Sequence, residues 1–305
     1  MIWLNKWIAQ LLPLIPKVVV GIFARQYIAG ETLDQAVNVI KDLNTQGINA
    51  TLDVLGEDPL KKCDCVEAVN IYKRSISAIS AKQLNCGISI KPSHLGLKIG
   101  TEFCRENLSQ ILDHARGNGV FVRIDMEEEA LKKKTVDLFF SLKKEYENVG
   151  IVIQAYLRSA IDDINQMIEK NANVRLCKGA YFSEDKKVVY KDMEIINESY
   201  AYILEKLLTN RCFTGIATHD EKLIFQSLKI IDKLNLLKTD YEFQMLYGVQ
   251  EDLRNIIKSQ GHSVRVYVPF GKEWFAYSIR RLKENPQMVS HILNNGIKEI
   301  FNRHA

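Results

Sequence analysis

Short apolar runs and longer amphipathic stretches alternate along this chain from about residue 49 onward. The runs lie at 49–54, 87–91, 121–125, 150–154, 174–178, 215–218, 241–244 and 264–268. Each is rich in Val, Ile or aromatic residues and is continuous rather than alternating in polarity, the pattern of strands buried on both faces. Between the runs, apolar residues recur at spacings of three and four. Val66, Val69, Tyr72, Ile76 and Ile79 form one stripe, Leu108, Ile111, Leu112 and Ala115 a second, and Ile161, Ile164, Met167 and Ile168 a third, so each interval predicts a helix with one buried face. Strand–helix alternation predicts parallel strands joined by right-handed crossovers. Eight repeats of it predict an α/β fold, a closed (βα)8 TIM-type barrel, with a doubly wound sheet as the alternative. Residues 1–45 are expected to form an N-terminal helical segment, with an amphipathic helix at 31–43, and residues 46–305 the barrel.

Polar residues stand where each run stops. They are Gly56-Glu57, Lys91, Asp125-Met126, Gln154, Lys178, Thr218-His219, Gln244 and Tyr267. A single polar residue after a strand commonly caps the next helix. Such residues at every strand end instead predict an active site at the C-terminal mouth, where barrel enzymes gather their chemistry.

Composition narrows the chemistry. The 305 residues carry a net charge of +4 and are 47% apolar, ordinary values for a globular protein. Basic residues form no stripe, since Lys132–Lys134 follow Glu127–Glu129, so no nucleic-acid partner is expected. The six cysteines form no CxxC pair and sit at no metal-ligand spacing from the six scattered histidines, so no metal site is expected. Cys63 and Cys65 read as incidental, partly buried thiols. With no recognisable secretory signal, a reducing, cytoplasmic setting is the expectation. The apolar stretch at 8–23 is interrupted by Pro13 and Pro16 and falls short of the roughly 20 residues that span a bilayer. Trp3, Trp7 and Leu11 recur at helical spacing; packing on the main domain and contact with a membrane surface both fit that helix. No GxGxxG turn, Walker loop or GxSxG elbow occurs, so a cofactor must be held by the barrel mouth itself.

Several segments resemble the proline dehydrogenase family. RLCKGAY at 175–181, ATHD at 217–220, EFQMLYG at 242–248 and RVYVPFGKEWFAYSIRRLKENP at 265–286 carry the likeness most strongly. LDVLGE at 52–57, IKPSHLG at 90–96, RIDME at 123–127 and QAYLRS at 154–159 support it, in family order over most of the barrel. The resemblance implies non-covalent FAD at the mouth and oxidation of L-proline to Δ1-pyrroline-5-carboxylate, the first step of proline catabolism to glutamate. Hydride would pass from substrate C5 to flavin N5, and electrons onward to a membrane quinone. A separate pyrroline-5-carboxylate dehydrogenase would act downstream, and the protein would be cytoplasmic or peripheral on the inner face of the cell membrane.

The resemblance also assigns residues. Asp125 and Arg175 would be catalytic, Asp125 as an electrostatic positioning group and Arg175 stabilising negative charge on the flavin. Met126, Gln154, Arg175, Lys178, Gly179, Ala180, Thr218, His219, Gln244 and Leu246 would contact the cofactor. Arg280 and Arg281 would grip the substrate carboxylate from a last helix laid over the mouth, with Glu284 pairing one of them, Lys91 a third cation, and Tyr267 against the proline ring. Tyr277, Arg280, Arg281 and Glu284 share one helical stripe, the spacing such a grip needs; Phe275, Ile279 and Leu282 form an apolar one. Phe182, Cys177 and Phe270 depart from the family's usual tryptophan, branched aliphatic and tyrosine. Two other readings fit fewer of these residues: a Schiff-base aldolase using Lys178 or Lys91, and a membrane-docked scaffold using Trp3 and Trp7.

Overall fold

A computed structural model describes residues 20–21, 24, 26–56, 58–179, 185–275 and 277–279. Eight parallel strands form one closed barrel in sequence order. They are β1 (Asn49–Val54), β2 (Cys86–Ile90), β3 (Val122–Ile124), β4 (Val149–Gln154), β5 (Asn173–Cys177), β6 (Thr214–Ala217), β7 (Tyr241–Leu246) and β8 (Val264–Phe270). The ring closes where β8 pairs with β1, Leu52 lying opposite Val268. Around it run α1 (Leu33–Thr45), α2 (Lys62–Ala81), α3 (Thr101–Gly117), α4 (Glu129–Lys143), α5 (Ala160–Glu169), α6 (Met193–Thr209), α7 (Glu221–Lys233) and α8 (Glu251–Ser259). The expected barrel is therefore observed, its strands within a few residues of the expected ends. Arg175, the second residue of the expected run at 174–178, sits in the middle of β5.

Although the strands are buried on both faces, the two faces differ in chemistry. Alternate residues point outward, among them Leu52, Ile88, Ile124, Ile151, Leu176, Phe243 and Val266, and pack into one core with the helices. The intervening positions point inward and are largely polar, including Asp53, Ser89, Arg123, Arg175, Glu242, Gln244 and Arg265. The reading of continuous apolar strands thus needs correction: the strands alternate with period two, largely polar inward and apolar outward. Glycines make room for the long inner side chains. A Cβ on Gly150 would lie 2.5 Å from an Arg123 nitrogen, and one on Gly215 2.4 Å from Gln244 Nε2.

The helices bury the predicted stripes with local exceptions. Leu108, Ile111, Leu112 and Ala115 are fully buried. On α2, Cys65 and Ala68 take the inward place expected of Val66, which is 48% exposed. Cys63 is exposed and Cys65 fully buried, so the two thiols are not alike. Ile161 and Ile168 are only partly buried.

α1 begins with a capping box between Thr32 and Gln35, which satisfies N–H groups at its first turn. It buries Ala36, Val37, Ile40 and Leu43 against β1 and β8. Backbone bonds from Ala29 N–H to Pro269 O (2.8 Å) and from Gly271 N–H to Gly30 O (3.1 Å) fix its start to the end of β8. α1 thus covers the outer seam that a helix following β8 would otherwise cover. The chain beyond β8 turns helical again at residues 274–275 and 277–279. Trp274 Nε1 there donates to Glu31 (2.9 Å), and Tyr277 packs with Tyr27, Ile28 and Leu55. Among the described residues, no helix is long and apolar enough to cross a membrane.

Candidate active site

The C-terminal ends of the strands surround a cavity of about 480 Å³, within the range of small-molecule and cofactor sites. Of the residues expected there, Lys91, Asp125, Met126, Gln154, Arg175, Lys178, Gly179, Thr218, His219, Gln244, Leu246 and Tyr267 all line it. Ala180, Arg280, Arg281 and Glu284 lie outside the described residues. Tyr277, from the stripe that includes both arginines, is on the cavity wall.

The inner floor is a charged hydrogen-bonded network. Arg175 is 7% exposed and its guanidinium donates to Asp125 (3.0 Å), to Ser89 Oγ (3.1 Å) and, through Nε, to Gln244 Oε1 (2.5 Å). Its central carbon stands 5.2 Å from the Tyr267 ring centre. Asp125 also accepts from Ser89 Oγ (3.1 Å) and the Tyr267 hydroxyl (2.8 Å). One carboxylate is thereby held by a cation and two hydroxyls, an arrangement that compensates a buried charge. Burial, then the nearby Asp125 and Asp53 charges, hold the Tyr267 phenol well above the usual tyrosine range.

Lys91 forms a buried ion pair with Asp53. Burial alone would depress the lysine, but the Asp53 and Asp125 carboxylates outweigh it and hold the ammonium above its ordinary range. Such a lysine is a fixed cation, the opposite of the depressed amine a Schiff base needs. Burial raises Asp53 despite Lys91, and its second oxygen, Oδ2, has no hydrogen-bond partner among the described residues.

At the rim, Lys178 pairs with Asp220 (2.6 Å), bridging the ends of β5 and β6. Burial opposes ionisation of Asp220, but the Lys178 hydrogen bond and charge hold its carboxyl below the usual range. Asp220 also caps α7 by accepting from Lys222 N–H (2.9 Å). Leu246 N–H donates to His219 Nε2 (2.9 Å), which requires that nitrogen to be unprotonated. Glu127 accepts from Ser93 N–H (2.8 Å) and Ser93 Oγ, tying two mouth loops together. Gln154 is 2% exposed and donates to Met126 O (3.3 Å), while its Oε1 has no partner among the described residues. Gly179 has φ +120°, and a Cβ there would lie 2.2 Å from the Tyr156 ring, so only glycine lets the backbone line the cavity here.

Asp53, Ser89, Glu127, Asp220, Glu242 and Arg265 were not singled out in the sequence. A signal for most of them exists. Residues two apart on a strand share a face, so Ser89, Arg123, Glu242 and Arg265 belong to the same inner face as Lys91, Asp125, Gln244 and Tyr267, and Asp53 to that of Thr51. Among the described residues, no group of three or more His, Cys, Asp or Glu side chains is placed to hold a metal ion.

The sequence profile of proline dehydrogenase matches residues 36–294. The chain is 34% identical over 276 residues to proline dehydrogenase 1 of Bacillus subtilis, covering 90% of this chain and 91% of that one. It is 31% identical over 280 residues to proline dehydrogenase of Deinococcus radiodurans, covering 90% of each. A crystal structure of proline utilization A from Bdellovibrio bacteriovorus, inactivated by N-propargylglycine, superposes with a TM-score of 0.81 at 27% identity over 86% of this chain. This chain spans 32% of that longer protein. Barrel, mouth and sequence agree: the chain belongs to the proline dehydrogenase family.

Proposed function

We propose that this protein oxidises L-proline to Δ1-pyrroline-5-carboxylate with FAD bound non-covalently at the barrel mouth, residues 46–305 forming the catalytic barrel and residues 1–45 an added helical segment. The observation that carries the reading is the buried cluster of Arg175, Asp125, Tyr267 and Lys91 on the cavity floor, in which carboxylates hold two cations and a phenol in fixed positions beside the space an anionic substrate would enter. The wall also fits a flavin. The unpartnered Gln154 Oε1 is an acceptor for a ring N–H, and Gly179 offers bare backbone. In this reading Met126, Gln154, Arg175, Lys178, Gly179, Ala180, Thr218, His219, Gln244 and Leu246 hold the cofactor. Bound FAD supplies a two-electron acceptor for the hydride leaving the substrate C5.

The chain's own residues do the rest. Arg175 presents fixed positive charge that costs no reorganisation during reaction, and Asp125 holds it in place. Lys91, Arg280 and Arg281 bind the substrate carboxylate, Glu284 steadies an arginine, and Tyr267 flanks the ring. We propose further that electrons pass to a membrane quinone, through peripheral contact with the inner face of the cell membrane, and that a separate pyrroline-5-carboxylate dehydrogenase takes the product in the cytoplasm.

The test is the visible spectrum of purified protein before and after anaerobic L-proline, with acid precipitation to release the flavin. The expected result is a yellow protein that bleaches with proline and frees its flavin into the supernatant. A folded, full-length protein that stays colourless and inactive with added FAD overturns the reading.

A further inference from the structure

Beneath Arg175, on the side away from the cavity mouth, a chain of hydrogen bonds runs across β5, β7 and β8. Arg175 Nε donates to Gln244 Oε1 (2.5 Å), and Gln244 Nε2 donates to Glu242 Oε1 (2.6 Å). The same Glu242 oxygen accepts from Arg265 Nε (2.5 Å), whose NH1 donates to Ala50 O on β1 (2.6 Å). Glu242 is 4% exposed. Gln244 is the one member whose two ends are chemically opposite, since its amide can present either oxygen or NH2 to Arg175. Arg175 Nε–H can only donate, so the reversed amide would set donor against donor. Gly215 supplies the space in which the amide lies, as a Cβ there would come within 2.4 Å of Gln244 Nε2 and 2.7 Å of Gln244 Cδ.

We infer that Glu242 and Gly215 are positioning residues of the redox centre: the Glu242 carboxylate and the empty space over Gly215 fix the Gln244 amide with its oxygen toward Arg175, and so aim the Arg175 guanidinium at Asp125. The carboxylate accepts and cannot donate, so its position dictates which end of Gln244 faces up. Arg265 keeps that carboxylate compensated in the barrel interior. This deepens the flavin-site reading above and rests on it for the identity of the ligand.

The test uses the full-length protein, four variants of the relay, one assignment variant and two readouts. The readouts are solvent exchange of the Arg175 side-chain Nε–H, followed by ¹⁵N NMR and assigned by its loss in Arg175→Lys, and the dissociation constant of added FAD. Glu242→Ala removes the acceptor, whereas Gly215→Ala removes no charged group and its Cβ meets the Gln244 amide first. Both are expected to speed exchange and weaken FAD binding by about tenfold or more, the scale of one lost buried hydrogen bond. Glu242→Gln retains an oxygen that accepts from Gln244 and Arg265, and is expected to stay within about threefold of wild type. The pair Glu242→Leu with Arg265→Met removes both charges together, keeping the relay testable if Glu242→Ala does not fold. Folded Gly215→Ala and charge-removed proteins with wild-type exchange and FAD affinity overturn the inference, because crowding or stability alone would shift only the unfolding midpoint. Equal loss in Glu242→Gln also overturns it, in favour of charge over position. Wild-type protein that binds no FAD overturns the flavin reading instead, and Arg175 exchange alone then decides the relay.

Discussion

Tyr267 serves two neighbours at once: its hydroxyl donates to Asp125 and its ring underlies Arg175. Tyr267→Phe keeps the ring and removes the donor from a buried carboxylate, so stability should fall by about 1–3 kcal/mol, measurable by chemical denaturation. Because the phenol is held well above its ordinary range, it stays a donor through mildly alkaline pH, and the variant's alkaline activity limb should match that of wild type. Asp220 supplies a pH test of opposite sense. Its folded carboxyl is lowered, so its contribution to stability is full above the ordinary carboxylate range, about pH 4. That contribution fades as pH falls through the lowered value. Asp220→Asn should therefore be less stable than wild type near pH 6, with the gap closing toward pH 3 in urea-denaturation midpoints. At this scale the strand-end residues were legible because a polar side chain closing an apolar run stands out. Asp53 and Glu242 were not, because a charge inside a strand reads as a surface position until the curvature of the sheet encloses it.

The strands and helices were legible as elements through their two periodicities, and their placement in the ring followed from parallel crossovers. The polar lining was harder to see. Thr51 and Asp53 on β1, or Glu242 and Gln244 on β7, alternate with residues such as Leu52 and Phe243 that pack outward, but an inward apolar residue such as Val152 on β4 interrupts the pattern. Val66 misled for a different reason: on α2 the small Ala68 and Cys65 take the buried face, and a larger apolar residue is left 48% exposed. The turn after β5 shows how an element's end becomes part of a site. Gly179 leaves the strand at φ +120° against the Tyr156 ring, a conformation that costs other residues on the order of 1–3 kcal/mol. Gly179→Ala should lower stability by at least that amount and, on the proposed reading of the site, strip the flavin, read as the flavin-to-protein absorbance ratio. Retained flavin at full stoichiometry would show that the backbone here does not approach the cofactor.

At the scale of the whole molecule, α1 stands where a helix after β8 would stand, across the seam of β1 and β8. Ile40 is fully buried in that contact, so Ile40→Ala should cost about 2–5 kcal/mol, seen as a lower denaturation midpoint. Flavin affinity should stay close to wild type, since Ile40 does not line the cavity. With its outer place taken, the segment beyond β8 is free to reach the cavity, as Tyr277 does. The seam also sets an order of events during synthesis. Leu52 finds its partner Val268 only after the six intervening strands have been made, and the apolar face of α1 has no complete surface to cover until β8 arrives. Helices emerging from the ribosome can pair with the strands beside them, but the cylinder stays an open, edge-exposed sheet until its final strand docks. Such long-range closure is slow and leaves a partly built chain prone to aggregation. The helix that precedes β1 is thus among the last pieces to find its resting place, and its docking records that the ring has closed.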